Sequence, residues 1–194
     1  HLLVAALLPC FATLTPAQQQ PVCESAASTL VLWDTQWRPD QKDIAEREFA
    51  AEKGLQQFFV HSGCFAHTEL QRMKLDELGV RQGVGREFDK LVTITVREIG
   101  PWLMLFSNEG MIEGGTEVVL NIAEYARPAW ALRRQFDVHW FNGGRFVIKG
   151  VESLPNDMQE ALRVGLMPGG RARDEHHRGN FSLRPPVMEN PSRS

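Results

Sequence analysis

Four residues close together in the chain combine charge, hydrogen-bonding groups and an aromatic ring: Asp34, Trp37, Arg38 and Asp40. They stand where the first predicted strand ends, and open α/β sheets usually bind their ligands at the carboxyl ends of strands. We interpret them as a candidate ligand-binding site for a glycan or another small ligand. The alternative is structural, with Asp40 capping the next helix and Arg38 neutralising the acids.

A second group could supply a nucleophile or metal ligands, since His61 and His67 flank Cys64. A disulfide at Cys64 would remove that thiol. No CxxC motif or Cys/His cluster accompanies it, which makes metal binding improbable. His176 and His177 lie in a tail that we expect to be mobile and therefore unable to hold a catalytic geometry. We assign no catalytic residue, metal site or cofactor.

Paired glycines occur at Gly114-Gly115 and Gly143-Gly144, but neither pair fits a phosphate-binding loop or a dinucleotide-binding fingerprint. The G-x-S-x-G and H-E-x-x-H motifs are also missing. No residue in these patterns can be given a catalytic role, and we predict a protein without enzymatic activity. Trp33 and Trp37 could form a stacking platform for sugar, although core packing is the ordinary role of large aromatics in strands.

The N-terminal residues 2–14 form an apolar run that small residues and a Gln tract follow, as in a secretory signal peptide. A buried N-terminal helix is the alternative, which Pro9 disfavours. Pro9 also stands where a lipobox requires a small residue, so we expect Cys10 to leave with the signal peptide. Membrane association is expected only if Cys10 is lipidated.

Export would leave Cys23 and Cys64 as a pair in an oxidising compartment, where disulfides persist. Each cysteine lies just before a predicted strand. In parallel neighbouring strands these two ends lie side by side, so we predict a Cys23–Cys64 disulfide. Two unpaired buried thiols are the alternative.

The elements around these residues predict a parallel β-strand, α-helix, β-strand unit. Residues 28–37 read as a central strand, with Leu30 and Leu32 on one face and Val31 and Trp33 on the other. Helical spacing follows from Asp40 to Ser62-Gly63, with Gly54 as a possible break. The second strand is expected over residues 64–73.

The rest of the domain reads as an antiparallel meander and a closing helix. Residues 75–88 are expected to form a short helix or a helix and loop. The predicted strands cover residues 90–99, 102–106, 116–125 and 133–141, with a break at Gly100-Pro101. The last helix begins near Ser153 and turns Met158, Ala161, Leu162 and Leu166 inward.

The predicted fold is a single α/β domain with a mixed sheet of about five strands and helices mainly on one face. We assign residues 1–17 to the signal peptide, 18–27 to a linker, 28–167 to the domain and 168–194 to a disordered tail. The formal net charge of -3 disfavours nucleic acid and anionic membrane surfaces as partners. The oligomeric state stays open.

Three stretches resemble bacterial envelope accessory proteins: residues 91–100 (LVTITVREIG), 114–122 (GGTEVVLNI) and 150–162 (GVESLPNDMQEAL). This group is typified by LpoB, the amino-terminal domain of TolB and the auxiliary lipoproteins of envelope ABC transporters. The resemblance covers the layout of residues 28–166. The poor lipobox and the Cys23–Cys64 pair depart from the group.

The resemblance implies an exported scaffold that docks onto other envelope proteins and is not a catalyst. We predict that it docks through an exposed sheet edge or the carboxyl end of the first strand. The alternatives are a periplasmic binder of glycan or a small ligand at the Trp37–Asp40 corner, and an envelope hydrolase.

Overall fold

The computed structural model describes residues 21–75, 85–106 and 111–167. The predicted signal peptide, Cys10 and the predicted tail lie outside these residues. So do residues 76–84, the greater part of the stretch for which we expected a short helix.

The described chain forms one mixed sheet and two helices, which confirms the predicted α/β class. The elements are β1 (Glu24–Thr35), α1 (Ile44–His61), β2 (Phe65–Arg72), β3 (Lys90–Phe106), β4 (Met111–Ala126), β5 (Ala131–Arg145) and α2 (Leu154–Leu166). The strand order is β2-β1-β3-β4-β5. β1 is parallel to both of its neighbours, whereas β3, β4 and β5 are antiparallel.

β1 is covered on both faces, as its continuous apolar run predicts. Val31 and Trp33 belong to a core that both helices share. Leu30 and Leu32 belong to a second core on the opposite face, together with Phe88 and Leu91. The strand begins at Glu24, so residues 24–27 are not part of a linker. It ends at Thr35, which leaves Trp37 beyond the strand.

α1 differs from the prediction at two places. It begins at Ile44, and the residue before it, Asp43, has φ 54. Asp40 is not its cap, because residues 38–41 form a turn closed by the bond from Gln41 N to Arg38 O. The predicted break at Gly54 is also wrong. Gly54 is buried, and a Cβ there would lie 2.6 Å from Met158 Cβ. The glycine thus allows α1 and α2 to pack closely.

β3 continues through Gly100-Pro101, where we expected a break. Pairing with β1 ends at Val96, so only β4 pairs with β3 beyond that point among the described strands. A proline is tolerated on an unpaired strand side because no partner there requires its N–H. β4 and β5 are consequently longer than predicted, and all three strands extend past the end of β1.

The predicted end of α1, the predicted buried face of α2 and the predicted disulfide are confirmed. Gly63 ends α1 with φ +63, as a C-terminal glycine does. Met158, Ala161, Leu162 and Leu166 of α2 are fully buried against the sheet. The Cys23–Cys64 disulfide is present, with 4.6 Å between the Cα atoms at the starts of β1 and β2.

A buried ion cluster lies near this disulfide. Lys90 Nζ lies 2.9 Å from Glu124 Oε1 and 3.0 Å from Glu24 Oε2, and it donates to the Val22 carbonyl. Glu124 also binds Arg134 on β5. The side chains of Lys90 and Glu124 are 5% and 2% exposed, so each buried charge depends on its partner.

Candidate functional site

The four predicted site residues do not form one cluster. The Asp34 carboxylate accepts bonds from Thr35 N (2.8 Å) and Leu75 N (3.3 Å), both backbone groups. By alternation along β1 it lies on the face of Leu32, away from the helices. Trp37 packs against the core on the helix side. The structure therefore separates Asp34 from Trp37.

Arg38 and Asp40 also have neighbours other than those we expected. Arg38 does not neutralise Asp34 or Asp40. Its guanidinium lies 3.2 Å from Glu98 Oε2 on β3. Asp40 is exposed. The ligand-binding role of the four residues stays a prediction.

Two acids that the sequence analysis did not select organise this corner. Glu98 follows a bulge in β3 and accepts bonds from Arg38 and Arg47. Arg47 also donates to the carbonyls of Ile99 (2.7 Å) and Lys42 (2.9 Å). These contacts fasten the loop before α1 to the side of β3.

Glu48 of α1 is the centre of the second group. Its carboxylate lies 2.6 Å from Arg72 of β2 and accepts bonds from Thr35 Oγ1 (3.1 Å) and Trp37 Nε1 (3.4 Å). The Arg72 guanidinium lowers the pKa of Glu48 most, and the bonds from Trp37 and Thr35 lower it further against the opposing effect of burial. Glu48 is therefore held ionised, unlike a general acid or base, whose pKa lies near the working pH.

These contacts suit a structural role at the carboxyl end of β1. Sequence spacing could not reveal them, since Glu98 and Arg72 are far from their partners along the chain. Trp33, which we considered for a sugar platform, is only 2% exposed and lies under the Arg72 guanidinium, 5.0 Å from ring centroid to Cζ. It presents no ring face to a ligand.

We predict that Glu48→Gln destabilises the fold in a pH-dependent way. Because the folded-state pKa of Glu48 is depressed, its stabilising effect is present above the unfolded value of 4.5 and is lost as pH falls through the lower folded value. The difference in unfolding free energy between wild type and variant should therefore shrink from pH 6 to pH 3. Urea unfolding across that range measures it. A difference that is constant with pH would contradict the ion pair, and Glu52→Gln on the exposed side of α1 is the control.

The remaining candidate is an exposed apolar surface on the part of the sheet that extends past β1. We call it the distal surface and define it by Leu103, Leu105, Phe146 and Ile148. Their exposed fractions are 56, 67, 70 and 78%. Leu103 and the backbone of Val147 both lie against Gly114, and Phe146 N donates to Ile112 O (2.7 Å). The end of β3 and the segment after β5 therefore flank the same end of β4.

Other site types find no support among the described residues. No three His, Cys, Asp or Glu side chains in the described ranges are grouped so that they could hold a metal ion. Neither described helix has the length and apolar character needed to cross a membrane.

The sequence matches no family model and no curated protein sequence. Solved structures show a partial likeness. One is described as a neuraminyllactose-binding hemagglutinin homologue from Helicobacter pylori, with 11% identity, a TM-score of 0.43, and coverage of 75% of this chain and 81% of that chain.

Two further structures have 12% identity. A PelC dodecamer from Paraburkholderia phytofirmans has a TM-score of 0.42, with coverage of 73% of this chain and 90% of that chain. A Xanthomonas campestris protein of the DUF330 family has a TM-score of 0.38, with coverage of 77% and 83%. These values are too low for the structures to inform the function of this chain.

Proposed function

We propose that this chain is an exported, non-enzymatic accessory protein of the bacterial cell envelope that acts by binding other envelope proteins. The distal surface is the observation that carries the proposal. Four large apolar side chains, each more than half exposed, lie on β3 and on the segment after β5, which flank the same end of β4. Exposed apolar side chains that are grouped at one end of a sheet, and not scattered singly, mark sites of protein interaction.

Two further features support the proposal. The Cys23–Cys64 disulfide suits an exported protein, because such bonds persist in oxidising compartments. At the carboxyl end of β1, the carboxylates of Glu48 and Glu98 are each held by arginines. The corner where α/β folds usually bind ligands is thus occupied by structural ion pairs.

Photo-crosslinking in cells that express the protein naturally tests the proposal. We expect a benzoyl-phenylalanine residue at position 146 to capture one dominant envelope protein, because Phe146 lies on the distal surface and is 70% exposed. The same residue at position 49, where Phe49 of α1 is 65% exposed, is the matched control and should capture far less. Equal capture at the two positions, or capture of abundant bystanders alone, would contradict the proposal.

A further inference from the structure

The end of β3 has the apolar composition of a buried strand, although it lies at an edge of the sheet. Residues 102–106, which we call the edge segment, read Trp-Leu-Met-Leu-Phe. A run that is apolar on both faces is typical of a strand covered on both sides. Leu103, Met104 and Leu105 are nevertheless 56, 42 and 67% exposed. Natural sheets protect open edges with charged residues, and the edge segment has none.

The edge segment has backbone groups on the side away from β4 that bind no residue in the described part of the chain. Beyond Val96, no described strand pairs with β3 on the side away from β4. Pro101 lies opposite Thr116 and has no N–H, so it suits a position whose backbone groups point away from β4. By alternation, the N–H and C=O groups of Leu103 and Leu105 point the same way.

Two observed hydrogen bonds support this assignment. The carbonyl of Ile99, two residues before Pro101, accepts from Arg47 of α1 at 2.7 Å, so it points away from β4. The carbonyl of Ile112, which lies opposite Leu105, accepts from Phe146 N at 2.7 Å, so it points away from β3. Both are expected if Leu103 and Leu105 face the open edge with their backbone groups.

We infer that the edge segment pairs antiparallel with the edge segment of a second copy of this chain, about a two-fold axis at Met104. Leu103 then lies opposite Leu105 of the second copy, and the outward donors and acceptors of both residues are satisfied. Moving the axis to Leu103 would set Leu105 opposite Pro101, which lacks a donor. The proline therefore disfavours the register that is centred on Leu103.

A second copy of this chain has the chemical properties required of a strand that pairs with the edge segment. The occupant must be extended, uncharged, and apolar on both faces, and the edge segment itself has these properties. Because no charged residue lies within the paired segment, two copies meet there without charge repulsion. The inference goes beyond the proposed function, since it gives part of the distal surface a second copy of this chain as its partner.

Cysteine crosslinking tests the register. Met104→Cys places two cysteines across the axis in a non-hydrogen-bonded pair, where Cα atoms lie about 4.5 Å apart and a disulfide can form. With Cys10→Ser in every variant, mild oxidation should convert Met104→Cys into a covalent dimer. Leu132→Cys, 47% exposed on β5, is the control and should stay monomeric. A monomeric Met104→Cys sample would overturn the inference.

A backbone substitution tests the pairing without a covalent bond. Leu105→Pro removes an N–H that points away from β4, so the monomer keeps its ladder while the dimer loses donors. We expect sedimentation to show a dimer for wild type and a monomer for Leu105→Pro. The double variant Leu103→Lys and Leu105→Lys should also be monomeric, because it sets like charges opposite each other. Phe146→Ser lies outside the edge segment and should remain dimeric. A dimer that survives both edge changes would overturn the inference.

These results also separate the two proposals. A wild-type monomer that still captures another envelope protein at position 146 overturns self-pairing and leaves the proposed function standing. A dimer that Leu105→Pro abolishes, with no other envelope protein captured, supports self-pairing and contradicts the proposed function.

Discussion

Removal of the Cys23–Cys64 disulfide should lower the free energy of unfolding by about 4 kcal/mol. The bond joins residues 41 positions apart. In the chain-entropy model, closing a loop of that length lowers the conformational entropy of the unfolded chain and so stabilises the fold by this amount. For a domain of this size the melting temperature should fall by roughly 8–16 °C. Thermal unfolding of oxidised and reduced wild type measures the effect at unchanged side-chain volume.

A variant with Cys23→Ala and Cys64→Ala is the control for the reductant. Alanine is preferable to serine because Cys64 is 1% exposed, and a hydroxyl there would be buried. The reduced wild type and the double variant should melt within a few degrees of each other. A melting temperature that does not respond to reduction would show that the bond does not stabilise the fold.

The second large effect is expected at the buried ion cluster. Glu124→Leu leaves the Lys90 ammonium, 5% exposed, with Glu24 as its remaining acid, and Glu24 is 58% exposed. Breaking a buried pair by removing one partner costs about 3–5 kcal/mol. We expect a loss near the lower end of that range, because Glu24 and the Val22 carbonyl still bind Lys90. Urea unfolding at pH 7 measures this loss.

A double-mutant cycle separates burial of charge from loss of packing. Adding Lys90→Met to Glu124→Leu removes the orphaned charge as well, so stability should return in large part. Glu117→Leu is a matched control, because Glu117 also lies on β4 and binds His139 of β5 but is 32% exposed. It should cost less than about 1 kcal/mol. Equal losses at Glu117 and Glu124 would refute the role of burial.

Both sites hold the residues before β1 against the body of the domain. Val22 N and Cys23 N each donate to the Leu166 carbonyl at 3.0 Å, and Lys90 binds the Val22 carbonyl. The disulfide and the ion cluster therefore stabilise the same corner of the fold. Their effects should be less than additive when they are combined.

The sequence by itself determined the architecture at the start of the domain. The apolar run of residues 30–33 predicted a strand covered on both faces, and its alternation assigned Leu30 and Val31 to different cores correctly. Cys23 and Cys64 predicted the disulfide, because parallel strands bring their starts together. The strand could be predicted because local periodicity reports which side of an element is buried. The disulfide could be predicted because a β-strand, α-helix, β-strand unit makes its two strands parallel.

The tertiary structure decided which residues meet. Glu48 forms an ion pair with Arg72, and Glu98 forms one with Arg47. The sequence had instead indicated Asp34 and Asp40 as the acids of this corner. Gly54, predicted to break the first helix, lies at the contact between α1 and α2. Pro101, predicted to end a strand, lies within β3 on its unpaired side. Such outcomes depend on strand order and register between distant segments. Periodicity within one segment carries no information about its neighbour across the sheet, so these contacts had no signal in the sequence.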